Sequence, residues 1–156
     1  MRLHICAVGR LRTGPERALI DDYLQRFDRS GRALGLGPAE EHEVEDKKGG
    51  GVAAEAALLS RAIPSGAAII ALDERGRMLT SPEFAALIAR FRDGGRQDLA
   101  LVIGGADGLA TSLRGDADAV LSFGPMVWPH MLVRVMIAEQ LYRAASILAG
   151  APYHRA

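Results

Sequence analysis

Three short and almost entirely apolar segments constrain the fold of this chain more than any other feature. They cover residues 3–8, 67–72 and 99–103, and each is followed directly by a glycine or an aspartate. They are too short for typical helices, and they lack the polar alternation of a strand with one face in water. Such runs are typical of strands buried on both faces, as in parallel sheets.

Helical patterns separate these strands. Residues 15–29 carry apolar side chains at helical spacing, and we expect that face to be buried: Leu19, Ile20, Tyr23, Leu24 and Phe27. Further helices are predicted over 53–63, from Thr80 to the glycines at 94–95, over 111–118 and over 131–149, and weaker strands over 41–45 and 119–122. The alternation predicts an α/β fold with one domain, residues 1–156, whose mostly parallel sheet is covered by helices on both faces.

The charge pattern limits how the chain could bind nucleic acid. Its formal net charge of zero gives no overall basic field, so binding would need a local patch. Residues 2–32 hold seven arginines against four acids, and together with the C-terminal tail they could supply that patch. Residues 40–46 are strongly acidic instead. A solvated surface is the other interpretation of such charge runs.

Composition also bears on where the protein works. No apolar stretch approaches the roughly 20 residues of a membrane span. The only cysteine, Cys6, lies within an apolar run, so we expect a buried side chain and no disulfide within the chain. These features predict a cytoplasmic protein that binds neither membrane nor DNA.

Chemistry is expected where the strands end, because ligands of open parallel sheets bind beyond the carboxyl ends of the strands. Three loops leave such ends, at residues 73–76, 104–108 and 123–130. The middle loop has three glycines in five positions, which would let backbone amides approach a ligand closely. It matches neither a dinucleotide fingerprint nor a P-loop, so a purely structural turn is an equal alternative.

The segment at residues 122–130 has an unusual composition. Pro125 and Pro129 bracket an apolar stretch that contains the only tryptophan, Trp128. Because proline disfavours helix and central strand, the backbone is expected to form a shaped loop with free N–H and C=O groups. Such a loop suits the adenine and the apolar methionine arm of a cofactor, although a packed crossover would show the same pattern.

Polar residues near the C-terminus form the last candidate site. Glu139 and Arg143 are one turn apart on an otherwise apolar helix. Tyr153, His154 and Arg155 follow it, and their side chains can stack on a base, move a proton and bind phosphate. A surface ion pair and a frayed chain end are the alternatives.

Together these segments resemble the SPOUT, or α/β-knot, methyltransferases, and in particular the branch that modifies large-subunit ribosomal RNA. The resemblance rests on residues 101–109, 121–123, 129–130, 134–135, 139–144 and 153–155, and it extends over essentially the whole chain. Residues 106–107 and 124–125 depart from those that relatives often carry, which affects loop detail and cofactor contacts but not the family resemblance.

The resemblance implies properties that composition and periodicity could not indicate. The fold would contain a C-terminal trefoil knot, and the chain would work as a homodimer in which each subunit completes the cofactor pocket of its neighbour. The cofactor would be S-adenosylmethionine. The reaction would methylate N3 of a pseudouridine in a stem-loop of large-subunit (23S) ribosomal RNA, with the assembled ribosome as substrate.

Two sets of site residues follow from the resemblance by matching position. The residues expected to contact the cofactor are Leu72, Gly104, Gly105, Phe123, Gly124, Pro125, Met126, Val127 and Trp128. The catalytic residues expected to face the RNA are Glu139, Arg143, Tyr153, His154 and Arg155, with His154 as the candidate general base.

Other functions remain compatible with the sequence. One is a related knotted methyltransferase acting on another RNA, such as a ribose hydroxyl of transfer RNA. Another is a nucleotide-binding α/β module without catalysis, and a third is a ribosome-associated protein that does no chemistry. No cluster of histidine, cysteine and acidic residues shows metal-ligand spacing, so we expect no metal in the site.

Overall fold

The computed structural model describes residues 1–155 as an alternation of strands and helices. In chain order the elements are β1 (Arg2–Val8), α1 (Pro15–Gly31), β2 (Ala39–Val44), α2 (Gly51–Ala62), β3 (Ala68–Arg77), α3 (Ser81–Asp93), β4 (Asp98–Ile103), α4 (Thr111–Asp116), β5 (Ala119–Leu121) and α5 (His130–Leu148). Each predicted strand and helix is present, and apart from the end of β3 the bounds differ by only a few residues.

The five strands form one parallel sheet in the order β2-β1-β4-β3-β5. The three apolar runs are its three central strands, as expected for segments covered on both faces. Every residue of β4, the middle strand, is buried. The predicted α/β class with a mostly parallel sheet is therefore confirmed.

Helices cover both faces of the sheet, and each face has its own apolar core. Helices α1, α3 and α5 pack on one face, where α5 contacts both α1 and α3. Helices α2 and α4 cover the other face with a smaller core built on Cys6, Leu59 and Leu113. Burial raises the pKa of the Cys6 thiol to about 12, so the side chain is neutral and apolar as predicted.

The prediction that Leu19 belongs to the buried face of α1 is wrong. Leu19 is 44% exposed, whereas Ile20, Leu24 and Phe27 of the same helix are buried. Successive residues on a helix are rotated by about 100°, so a face centred on Ile20, Leu24 and Phe27 leaves Leu19 at its border. The apolar pattern of α1 therefore overestimates the width of the buried face.

The predicted end of β3 is also wrong, because the strand continues past Asp73 to Arg77. The additional residues are polar and were interpreted as a loop. Gly76 allows the extension: a Cβ at this position would lie 2.6 Å from the Val120 carbonyl oxygen of β5. The register between β3 and β5 shifts between Leu72 and Arg77, which leaves the intervening residues beside the carboxyl end of β5.

Two further properties concern the molecule as a whole. Within residues 1–155, no helix combines the length and apolar character required to span a membrane. The trefoil knot implied by the resemblance stays a prediction.

Candidate functional site

A cavity of about 410 Å³ opens at the carboxyl ends of β4 and β5 and along the last part of β3. This volume falls in the range of small-molecule sites, about 300–1,000 Å³. Its walls come from the last part of β3, the turn after β4 and the loop after β5, and the first turns of α5 close one side with His130 and Val133. The cavity thus lies where a parallel sheet is expected to bind its ligand.

Glycines shape the wall that follows β4. A Cβ on Gly104 would lie 2.5 Å from the carbonyl oxygen of Gly108, and one on Gly105 would lie 2.8 Å from a carboxylate oxygen of Glu55. The amide of Gly108 donates to the carbonyl of Gly105 at 3.0 Å, and Gly108 has a φ of 81°. The turn requires glycine for its own packing, and the same lack of side chains exposes backbone groups to the cavity.

The loop between β5 and α5 forms the apolar wall. It starts with a tight turn in which the Gly124 amide donates to the Ser122 hydroxyl at 3.0 Å. Beyond this turn Met126 is 72% exposed and Val127 is 85% exposed, and Trp128 is partly exposed as well. A run of large apolar side chains with this exposure is typical of a ligand or partner interface.

Eight of the nine residues predicted to contact the cofactor line this one cavity, although they come from strand β3 and from two separate loops. They are Leu72, Gly104, Gly105, Phe123, Gly124, Met126, Val127 and Trp128. Pro125 is in the same loop but does not contribute to the wall.

The cavity also contains charged and titratable side chains to which the sequence analysis assigned no role: Asp73, Glu74, Arg75, Asp107 and His130. They lie in the three segments where chemistry was expected, at 73–76, 104–108 and 123–130. Asp73 is held by Arg114 of α4, with 3.6 Å between a guanidinium nitrogen and a carboxylate oxygen. This pair joins residues 41 positions apart in the sequence, so no local pattern could reveal it.

The predicted catalytic residues form a second cluster on α5 and the tail. Glu139 is its centre: its Oε1 accepts hydrogen bonds from Arg143 Nη2 at 2.6 Å and from the Tyr153 hydroxyl at 2.9 Å. Burial, followed by the hydrogen bond to Glu139, raises the pKa of Tyr153. The Tyr153 hydroxyl therefore stays protonated and acts as a donor. The bond to Glu139 also raises the pKa of Arg143.

His154 joins this cluster through Arg143. Its Nδ1 lies 3.2 Å from Arg143 Nη1. Because a guanidinium can only donate, Nδ1 must accept, and the proton of the neutral ring is then on Nε2. The lone pair that a general base needs is thus directed at Arg143. Arg155 is exposed.

One chain alone does not bring the two clusters together. The cavity includes α5 only as far as Val133, and none of the five predicted catalytic residues lines it. With a rise of 1.5 Å per residue, Glu139 and Arg143 lie about 9 and 15 Å further along the helix axis than Val133.

The predicted basic patch at residues 2–32 is wrong in one respect, because much of its charge is neutralised. Arg17 contacts Glu41 at 2.5 Å, Arg10 lies 3.4 Å from Glu45, and Arg2 and Arg26 also have carboxylate partners. The acidic residues 40–46 belong to β2 and the turn after it, which lie beside α1. Arg10 and Arg17 therefore pair with the acidic run, whereas Arg2 pairs with Asp98 and Arg26 with Asp22.

Arg134 fixes α5 to the carboxyl ends of β1 and β2. Its side chain is 1% exposed; it contacts Glu43 at 2.6 Å and donates to the carbonyl of Gly9 at 3.0 Å. Burial alone would raise the pKa of Glu43, but the Leu11 amide and Arg134 hold that pKa below its usual value. The pair sets the position of the helix whose first turns close the cavity.

Comparisons with known proteins agree over nearly the full length. A family model described as a predicted SPOUT methyltransferase matches residues 1–154. Proteins named ribosomal RNA large subunit methyltransferase H from Ruegeria pomeroyi and Cereibacter sphaeroides are 72% and 66% identical, and each match covers 99% of both chains.

Two solved structures share the fold at low sequence identity. A probable methylase family protein from Haemophilus influenzae has a TM-score of 0.53 and 13% identity, covering 99% of this chain and 70% of the other. A probable methyltransferase from Bordetella pertussis has a TM-score of 0.51 and 18% identity, covering 92% and 96%. Identities this low bear on the fold alone.

Proposed function

Because the chain belongs to the SPOUT methyltransferase family, we propose that it transfers a methyl group from S-adenosylmethionine to large-subunit ribosomal RNA. The family makes it an enzyme, and relatives at 65–72% identity are named for this RNA. The observation that carries the proposal is the cavity: residues from β3 and from two loops distant in sequence, matched to the cofactor by resemblance, form the wall of one pocket.

The pocket suits S-adenosylmethionine in its chemistry. Leu72, Met126 and Trp128 offer apolar surface for the adenine and the methionine arm. The glycine turn from Gly104 to Gly108 offers backbone groups that no side chain shields. When bound, the cofactor supplies a methyl group on a positively charged sulfur, which is already activated for transfer. The main task left to the chain is alignment of donor and acceptor.

The acceptor sets the remaining task. We propose N3 of a pseudouridine, an imide nitrogen that is a poor nucleophile until its proton leaves. In this mechanism His154 takes that proton on Nδ1 after Arg143 has turned toward the RNA. Arg143 and Arg155 then neutralise phosphate or ring charge, and Tyr153 stacks on the base or donates a hydrogen bond. Glu139 orients Arg143 and Tyr153.

A homodimer would place these residues at the cavity. In one chain the tail lies along α5 and does not reach the pocket, and the apolar loop at Met126 and Val127 is exposed. A second copy could cover that loop and bring its own tail across the pocket. A ribosomal substrate would also have the enzyme work in the cytoplasm.

A second cavity suggests where the RNA backbone lies. Its volume is about 730 Å³, and Arg75 and Leu121 belong to its walls as well as to those of the first cavity. Arg75, Arg77 and Arg90 line it and are exposed. Its two acids are engaged elsewhere: Glu83 in the α3 capping box and Asp118 with the Ile69 amide. The three exposed arginines suit phosphate.

Calorimetry with S-adenosylmethionine, NAD and ATP tests the cofactor assignment. We expect saturable binding of S-adenosylmethionine, with one molecule per cavity, and no comparable binding of the other two. Preferential binding of NAD or ATP would instead support a nucleotide-binding module.

A further inference from the structure

A second group of titratable side chains lies on the opposite side of the sheet from the tail, near the amino ends of β1, β2 and β4. His4 is on β1, Glu40 and His42 are on β2, and Asp98 is the first residue of β4. In the parallel register His4 pairs with Glu40, and Cys6 pairs with His42, so these side chains share one face. The candidate cofactor cavity is at the other end of the strands and uses none of them.

Asp98 fixes the orientation and tautomer of His4. Its Oδ1 lies 2.7 Å from His4 Nε2, and both residues are buried. Arg2 Nε lies 3.0 Å from the same Oδ1. A carboxylate paired with a guanidinium accepts hydrogen bonds, so His4 Nε2 carries the ring proton. The lone pair of His4 is therefore on Nδ1, which faces His42 Nε2 at 2.9 Å.

The geometry points to a binding site for a divalent transition metal ion such as Zn²⁺, held by His4 Nδ1, His42 Nε2 and a carboxylate oxygen of Glu40. The three ligand atoms lie within 4.8 Å of one another. His42 Nε2 is 2.9 Å from His4 Nδ1 and 3.8 Å from Glu40 Oε2. A tetrahedral ion with bonds near 2.05 Å separates its ligands by about 3.3 Å, which lies between these two distances.

The surroundings have the features of a metal site. A metal-bound imidazole usually donates its other ring nitrogen to a carboxylate, and Asp98 provides that carboxylate. Glu40 and Asp98 carry two negative charges and Arg2 carries one positive charge. The net local charge is therefore negative and favours binding of a cation. Two imidazoles and one carboxylate, with a position left for water, are a common Zn²⁺ ligand set. Cys6 does not belong to this group of ligand atoms, and its thiol contacts the Ala62 carbonyl instead.

Such an ion would link the edge strand β2 to its neighbour β1. Strand β2 is at the edge and pairs only with β1, and a bond from Glu40 and His42 to His4 would add a cross-strand link. Glu40 and His42 follow His4 by 36 and 38 positions in the sequence, so the three ligands show no local metal-ligand spacing. The site is distant from the cofactor cavity, so its role would be structural.

Titration of the full-length, chelator-treated protein with ZnCl₂ tests this inference. We expect one saturable Zn²⁺ per chain by calorimetry and a higher unfolding temperature in its presence. The variant His42→Gln keeps a hydrogen-bond donor for His4 and should lose saturable binding. Asp98→Asn should weaken binding by about 10- to 100-fold, because it removes only the group that orients His4.

A matched control separates the cluster from adventitious binding. His154→Gln removes another of the four histidines by the same substitution and should bind Zn²⁺ like the unaltered chain. If His42→Gln does not fold, Glu40→Gln provides the comparison, since Glu40 is exposed. Equal weak binding by all variants, or no saturable binding at all, would mean that His4 and His42 share only a hydrogen bond and would overturn the proposal.

Discussion

At the scale of single residues, Glu139 organises the proposed catalytic cluster. It accepts hydrogen bonds from Arg143 and Tyr153, and Arg143 in turn occupies the lone pair of His154. An exposed ion pair between residues one helical turn apart would stabilise the helix by only about 0.3–0.5 kcal/mol. Here the pair is partly buried and also holds the tail, so its main effect is on where Tyr153 and His154 lie.

His154→Ala provides the test at this scale. We expect the single-turnover methylation rate to fall by about 10²- to 10⁴-fold, because proton removal from the imide is no longer assisted. The affinity for S-adenosylmethionine should change little, because in the proposed dimer His154 faces the RNA acceptor, whereas the cofactor contacts come from residues that line the cavity. Rates that match the unaltered enzyme across the pH range would remove His154 from this role.

Individual residues differ in how far sequence could predict them. Tyr153, His154 and Arg143 were identified by residue type and resemblance, and they do contact one another or a shared partner. The Asp73–Arg114 and His4–His42 contacts were not identified, because each joins residues that only the folded sheet brings together. The exposure of Leu19 depends on how α5 packs against α1, which periodicity alone does not determine.

At the scale of elements, the turn between β4 and α4 is the part of the cavity most sensitive to substitution. A Cβ at Gly104 would meet the backbone of Gly108, which cannot rotate away as a side chain could. The turn must therefore shift if Gly104 is replaced.

Gly104→Ala is expected to weaken binding of S-adenosylmethionine by at least about tenfold, corresponding to about 1.4 kcal/mol. Gly115→Ala is the matched control, since Gly115 lies in α4 with open space around its Cα and alanine there should stabilise the helix by up to about 1 kcal/mol. Calorimetry on both variants measures the difference. Equal affinities would show that the turn does not form part of the cofactor site.

Elements were more predictable than residues for a physical reason. The three apolar runs had the pattern of buried strands, and the Thr80–Glu83 pair forms a capping box at the predicted start of α3. The end of β3 was mispredicted because its last residues are polar, yet Gly76 lets them pair with β5. The hydrophobic pattern of a sequence indicates which residues are buried. The extension of β3 to Arg77 depends instead on the close approach of the Gly76 backbone to β5.

At the scale of the whole molecule, we propose that two chains together form one site. The cavity and the proposed catalytic cluster lie at different positions along α5, so each subunit would supply its tail to the cavity of its partner. This arrangement explains why the tail packs against its own helix and not into its own pocket.

Mixed dimers distinguish this arrangement from a site within one chain. We expect Gly104→Ala and His154→Ala to be inactive or strongly impaired as separate homodimers. A heterodimer of the two, isolated through different affinity tags, should regain about half of the normal methylation rate, because one of its two composite sites is intact. If each tail served its own cavity, both sites would carry a defect and the heterodimer would stay inactive.

The most direct test of the central claim is the transfer of labelled methyl from S-adenosylmethionine to ribosomes from a strain lacking this protein, with the product mapped by mass spectrometry. The account predicts label in large-subunit ribosomal RNA, on N3 of one pseudouridine. Label confined to transfer RNA, or no transfer to any RNA by protein that binds the cofactor, would contradict it.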